Sequence, residues 1–224
     1  MAPGQVGRAA IVVAPRAYPG GVPDLETELV LRADDPRCGR VVADGWELVA
    51  TSWGARLEVD PADDRAIARL RDLADRPPVR GYLVREIAPR DIPDLLALDA
   101  RTAADYPGGV ATHHEPLDEA AARALLGRGR AWGIWYADAL VAVTVTLLAG
   151  DRVETDFTAV HPDHRGRGLA TALKATSVLA HVEQGRTLFG TGGADANRAS
   201  LAMNRAVGYQ ITETWHTYRA PTAR

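Results

Sequence analysis

The chain is poor in the residues that mark several functional classes. A single cysteine, Cys38, in 224 residues excludes an intramolecular disulfide and a cysteine-cluster metal site. The only lysine is Lys174, so nearly all positive charge is arginine. With the abundance of alanine, that reads as coding bias rather than as a functional signal. Neither sign of charge dominates: the net charge of −3 gives no support to non-specific nucleic-acid binding. Long apolar runs are missing too. The longest near the N-terminus, Ala9 to Pro15, is too short for a signal core or a membrane span. A cytoplasmic protein with neither nucleic acid nor membrane as partner is the default expectation. His113-His114-Glu115 is a local group of metal-ligating types, but consecutive residues do not easily converge on one ion. No metal is expected.

What is present fits a globular protein. Apolar residues make up 46% and charged residues 25%, enough to build one large domain or two small ones. Asp75-Arg76-Pro77-Pro78 reads as a linker, since paired prolines favour extended backbone and stop helices. Before it, the pattern predicts a buried strand over 9–14, a helix over 36–44 ending at Gly45, strands over 46–53 and 55–59, and a helix over 62–73. After it come a strand over 79–86 and a helix over 91–105, with Asp91 as N-cap. A helix over 118–126 and a hairpin over 132–136 and 140–148 follow. Then come a strand over 152–160, a helix to about 182, a strand over 187–190, a helix over 198–207, and strands to about 219. This β-α-α-β-β-β-α-β-α-β-β order suits a mixed sheet with helices on both faces. Asp34 to Trp53 also resembles Asn197 to Trp215: in each, a polar residue stands eleven positions before a Gly-aromatic pair, Gly45-Trp46 and Gly208-Tyr209.

The most informative stretch is Val-His-Pro-Asp-His-Arg-Gly-Arg-Gly-Leu-Ala-Thr, residues 160–171. A strand ends, a Gly-rich turn follows and a helix begins. Such a junction exposes backbone N–H groups at the positive end of a helix dipole, which suits a phosphate. Gly166 and Gly168 free the backbone to approach a ligand, and Arg165 and Arg167 add positive charge. The ordinary P-loop pattern is absent, and the third glycine of the dinucleotide fingerprint is missing.

Arg165-x-x-Gly168-x-Ala170, with Val160-x-Pro162 upstream, resembles the acyl-CoA signature of the GNAT superfamily of N-acyltransferases. A second element, Asn197 through Asn204 to Gly208-Tyr209, looks like that family's asparagine-to-Gly-aromatic segment. The resemblance covers about residues 80–220. It implies a GNAT-like α/β (α+β) fold with a mostly antiparallel central sheet. Residues 79–224 would form the acetyltransferase domain, and residues 1–76 a partial, degenerate GNAT-like segment that extends the sheet or covers an edge.

The activity implied is direct transfer of an acetyl group from acetyl-CoA to a primary amine of a small molecule or peptide. By the resemblance, Thr158, Ala159 and Val160 contact the pantetheine and thioester, with the Val160 N–H as oxyanion donor. Residues Arg165, Gly166, Arg167, Gly168, Leu169 and Ala170 hold the pyrophosphate. Asn197 bonds the pantetheine or phosphate arm, although its position also suits a plain helix N-cap. Many family members carry tyrosine at the position of Asn204, where it protonates the leaving thiolate; Tyr209 and Tyr218 are alternatives for that role. Glu154 and Asp156 alternate with Thr158 and would share a face, with Glu154 as general base and Asp156 orienting a cationic acceptor. The solvent face of a strand would show the same pattern. Tyr106 and His113 lie where the family places part of its acceptor pocket, and a homodimer is common among members. A non-catalytic acyl-CoA-binding regulatory module is the main competing reading, and an NTP- or dinucleotide-binding protein the other.

Overall fold

The computed structural model describes residues 28–76, 81–106 and 114–221. The predicted strand over 9–14 and the proline pair at 77–78 lie outside them. In chain order the elements are β1 (Glu28–Arg32), α1 (Arg37–Ala43), β2 (Glu47–Glu58), α2 (Asp64–Ala74), β3 (Tyr82–Glu86), α3 (Ile92–Thr102), α4 (Glu119–Arg128), β4 (Gly129–Tyr136), β5 (Ala139–Ala149), β6 (Arg152–Val160), α5 (Leu169–Val182), β7 (Leu188–Ala194), α6 (Arg198–Val207) and β8 (Gln210–Arg219). Among the described residues the strands form one sheet in the order β1-β8-β2-β7-β6-β5-β4-β3. All neighbours are antiparallel except β6 and β7.

Local chemistry explains most boundaries. The Asp63 carboxylate accepts the Arg65 and Ala66 N–H groups and starts α2, whose Ile67, Leu70 and Leu73 fall on one buried stripe. Asp118 caps α4 through the Ala121 N–H at 2.7 Å. Gly208, at φ 117°, ends α6 in the left-handed conformation that glycine adopts without steric cost. Helices cover both faces. Helices α2, α5 and α6 bury Ile67, Val178 and Leu201 against Trp53, Val153 and Phe189. On the other face, α3 and α4 bury Leu95, Leu98 and Ala122 against Val145 and Phe157.

Several expectations are corrected. The two strands expected over 46–59 are one, β2, which absorbs two irregularities in its pairing with β8. The terminal strands expected after α6 are likewise one, β8, and its neighbours on either side, β1 and β2, come from the N-terminal segment. Asp91 does not cap α3 with its side chain. Its carboxylate takes the Ala88 N–H at 2.8 Å and pairs with Arg85 at 2.6 Å, and that guanidinium holds it down at about 2.

The suspected internal repeat has a structural counterpart. The unit β1-α1-β2 pairs with β7-α6-β8 so that β1 joins β8, β2 joins β7, and β2 and β8 meet in the middle. This is a local two-fold arrangement. The sheet is therefore not divided where the sequence suggested a linker. Trp53 of β2 is 4% exposed and lies in the same core as Val153, Val178 and Phe189. Trp53→Ala should lower stability by about 3–5 kcal/mol. The loss should appear as one shifted urea transition for the whole chain. A separate early transition would show that residues 28–74 unfold independently.

Candidate functional site

Strands β6 and β7 start as parallel neighbours and then part. Their register runs only through Arg152↔Leu188, Val153↔Phe189 and Glu154↔Gly190. Beyond that, β6 stays with β5 and β7 stays with β2. A fork opens between them, and its mouth faces the predicted phosphate cradle. The His161 N–H donates to the Val141 carbonyl at 2.8 Å. Ladder bonds alternate in an antiparallel pair, so the N–H groups of Val160 and Thr158 point away from β5 and into the fork. Ala159 faces the other way: its backbone belongs to the β5 ladder, and its methyl group packs in the core under α3 and α4.

The cradle is held from three sides. Gly166 and Gly168 have φ of 72° and 77°, which a side chain would strain. A Cβ at either glycine would meet nothing within 4 Å, so the requirement is conformational, not steric. Gly168 precedes α5 without a side-chain cap, and the first helical amide bond is Ala172 N–H to the Gly168 carbonyl. The amides of Leu169, Ala170 and Thr171 have no intrahelical acceptor. The two arginines are turned onto protein groups. Arg165 donates to the Val160 carbonyl at 3.0 Å and pairs with Asp105. Arg167 donates to the Tyr82 hydroxyl and the Asp163 carbonyl, both at 3.0 Å. Tyr82 also bonds His164 at 2.9 Å, and burial lowers the His164 pKa. His164 and Arg167 thus tie the loop to β3, and the anion-binding capacity rests on the backbone amides.

The acidic pair does not sit as strand alternation predicts. Val145 pairs with Phe157 but Thr146 with Thr155, so Asp156 is an extra residue in a β-bulge. Thr155 and Thr158 both face α5, through contacts with Lys174 and Thr144, and Glu154 faces the opposite side. There the Glu154 carboxylate lies flat over Gly190, where a Cβ would stand 2.1 Å from it. It contacts Arg152 at 3.4 Å and Arg56 at 3.8 Å. Arg56 also reaches Glu213 at 3.3 Å, and Glu213 lies over Gly54 in the same manner. The result is a charged patch on a glycine floor, with Arg56 between two glutamates and Arg152 beside Glu154.

The other predicted residues divide. Asn197 is the α6 N-cap, accepting the Ser200 N–H at 3.0 Å. Asn204 is 2% exposed; its amide donates to the Ser200 carbonyl, and its Oδ1 has no hydrogen-bond partner among the described residues. Tyr209 stands near the fork's apex, and Tyr218 lies on β8 opposite Leu29 and Leu48, away from it. Burial raises both phenol pKa values, Tyr218 to about 12. Tyr106 stacks on His114 with ring centroids 4.3 Å apart. His113 lies outside the described residues.

Two features escaped the sequence reading. His114 Nε2 lies 2.6 Å from Asp99 Oδ1, both buried, and the other Asp99 oxygen accepts the Leu117 N–H. Lys174 is 1% exposed, with Nζ 2.6 Å from Thr155 Oγ1 and 3.1 Å from Thr191 Oγ1. These threonines are the first residues past the last β6–β7 pair, so the sole lysine bridges the apex of the fork. Burial lowers its pKa to about 7, against a smaller opposing pull from Glu154. Among the described residues no helix is long and apolar enough to cross a membrane.

Comparisons with known proteins agree on the architecture. The family model described as "Acetyltransferase (GNAT) family" matches residues 95–209. A GCN5-related N-acetyltransferase from Sphaerobacter thermophilus is similar in structure, with a TM-score of 0.64 at 14% identity, over 86% of this chain and 58% of that one. A tandem GNAT protein from the clavulanic acid biosynthesis pathway gives 0.61 at 22% identity, over 88% and 65%. A GCN5-related N-acetyltransferase from Kribbella flavida gives 0.55 at 17% identity, over 88% and 68%. The chain thus spans less than two thirds of the length of the first two. No curated protein matches it.

The buried lysine makes stability depend on pH. Its folded pKa of about 7 lies below the ordinary 10.5. Between those values the unfolded chain binds more protons than the folded one, so stability rises with pH across that window. The slope from this group should not exceed about 1.4 kcal/mol per pH unit. Urea denaturation of the wild type at pH 7, 8 and 9 should show the rise, and Lys174→Met should flatten it. Parallel curves for the two proteins would mean that Lys174 keeps its proton.

Proposed function

Because the chain belongs to the GNAT family of acetyltransferases, we propose that it moves an acetyl group from acetyl-CoA directly to a primary amine of a small molecule or peptide. One observation carries this reading: a fork between two parallel strands opens onto the uncapped N-terminus of a long helix.

The chain's own groups fit that ligand. The amides of Leu169, Ala170 and Thr171 and the left-handed glycines suit a pyrophosphate. The Thr158 and Val160 N–H groups, directed into the fork, suit an amide-bearing arm and the carbonyl oxygen at its end. The orphaned Asn204 Oδ1 is a buried acceptor in want of a donor, which a pantetheine amide offers. Acetyl-CoA would supply the acyl group already activated as a thioester. Holding that thioester beside an amine can provide much of the rate by proximity.

The acceptor must lose a proton, since a free alkylamine has a pKa near about 10.4. Glu154 is the base on this reading, directly or through water. Its carboxylate borders the face away from α5, and Glu213 stands on the same patch. Asp156, the extra residue of the bulge, is the orienting residue on this reading. Asparagine at 204 is a poor acid, and this favours a second reading, a non-catalytic acyl-CoA-binding module.

Thermal unfolding with acetyl-CoA, CoA, ATP and NAD in parallel tests the ligand. Acetyl-CoA and CoA at a hundred times their dissociation constants should each stabilise the fold by about 2.7 kcal/mol, and ATP and NAD should not. Stabilisation by ATP or NAD alone would end the acyl-CoA reading. With an amine panel, Glu154→Gln should lower turnover by about a hundredfold. Unchanged turnover and pH profile would remove Glu154 from the role of base. CoA binding with no amine acetylated would leave the regulatory module.

A further inference from the structure

The fork's apex carries a buried ammonium. Lys174 Nζ donates to Thr155 Oγ1 of β6 and to Thr191 Oγ1 of β7, and lies 4.8 Å from the Tyr209 ring centroid. An ammonium has three donors; two are taken by hydroxyls and the third side faces an aromatic ring. Each threonine hydroxyl that accepts from Lys174 still has its own hydrogen to give. Thr155 also acts on the Tyr209 phenol, lowering its pKa against the larger effect of burial. The Thr191 hydroxyl has no other side-chain partner among the described residues. Thr191 stands on the inner edge of β7, one residue past the last contact with β6. An arm entering the fork from the cradle would run toward the apex, the level at which Thr191 stands. We propose that Thr191 hands a proton to the leaving thiolate and that Lys174, behind it, is the proton source. This inference rests on the acetyltransferase reading of the fork.

The step balances. As the carbon–sulfur bond breaks, its electron pair stays on sulfur. Thr191 passes its hydroxyl hydrogen to sulfur while the Lys174 ammonium passes one to Thr191 Oγ1. Lys174 is left neutral and regains a proton from water after the thiol departs. The proton lost by the amine leaves separately by way of Glu154.

Relative basicity favours this direction. An ordinary thiol has a pKa near about 8.5, and an ordinary lysine ammonium near about 10.4, so an exposed lysine would be the weaker acid by about two units. Burial inverts the order by bringing Lys174 to about 7. The titratable groups that act on it are few. Glu154 on β6 pulls its pKa upward from the far face, and Tyr209 presents a phenol whose own pKa is raised by burial. Helices α2 and α6 face the same core with Ile67, Leu70, Leu201 and Val207. A proton donor at this place also answers the lack of a tyrosine at position 204.

Because Lys174 is the only lysine, the full chain labelled with [ζ-15N]lysine yields one side-chain resonance. Its titration would be followed for the free protein, with CoA, and with desulfo-CoA, which lacks the sulfur. CoA should move the midpoint by at least half a pH unit and desulfo-CoA should not. Thr191→Val should abolish the CoA-specific shift while still binding both ligands, as seen in the amide spectrum. In turnover, Thr191→Val should be slowed at least tenfold with acetyl-CoA, and far less with a thioester whose thiol is strongly acidic. Identical titrations with CoA and desulfo-CoA would overturn the proposal, as would a CoA-specific shift that survives in Thr191→Val. An amide spectrum that neither ligand perturbs would instead overturn the acyl-CoA reading, and this inference with it.

Discussion

The parting of β6 and β7 after Glu154 and Gly190 is the constraint on which the rest of the structure depends. Buried backbone groups without partners cost about 1–3 kcal/mol each, so a sheet does not open without compensation. Each strand here keeps one complete ladder, β6 with β5 and β7 with β2. Only the inner edges are left to settle. At the apex, Lys174 bonds a hydroxyl from each strand. At the mouth, Arg165 takes the Val160 carbonyl. What remains is a short row of amides between them, including Thr158 and Val160, and a peptide-like arm is the partner that such a row accepts. On the proposed reading, that local deficit in hydrogen bonding is where the acyl-CoA arm binds.

This arrangement explains why the N-terminal segment cannot be treated as an appendage. The family model begins at residue 95, yet β7 has its full ladder only because β2 supplies it. From the same strand, Trp53 packs over Gly193, and Arg56 reaches across to Glu154. Glycines at 54 and 190 let two carboxylates lie flat on the sheet, where any larger residue would lift them. A strand from outside the matched region therefore sets both the rigidity of the fork and the charge of its open face.

The sequence exposed those parts of the site whose causes are local. Strand β6 and helices α5 and α6 end where they do because of punctuation: the turn after Val160, the left-handed Gly168 and Gly208, and the Asn197 cap. The cradle was legible for the same reason. The bulge at Asp156 was not. Glu154, Asp156 and Thr158 alternate perfectly in sequence, and the extra residue exists only relative to Val145 and Thr146 on a neighbouring strand. The Asp99–His114 contact was hidden because its partners stand fifteen positions apart in the sequence. Lys174 was hidden by composition. A lone lysine among arginines resembles coding bias, and only the tertiary fold shows that its neighbours in space are the two strands of the fork.

The pleat of β6 separates two polar environments. Glu154 and Thr155 are adjacent, so their side chains leave opposite faces of the sheet. Glu154 looks toward the glycine-floored patch, flanked by Arg56 and Arg152. Thr155 looks toward α5 and Lys174. An ammonium stripped of water is disfavoured as the cation, and burial lowers the Lys174 pKa. That environment pushes the amine toward surrendering its proton. Acyl transfer to an amine needs a proton removed on the nucleophile's side and one delivered on the leaving group's side. On the proposed reading the thickness of one strand keeps the two apart, so Glu154 and Lys174 influence each other through charge without forming the ion pair that would cancel both roles.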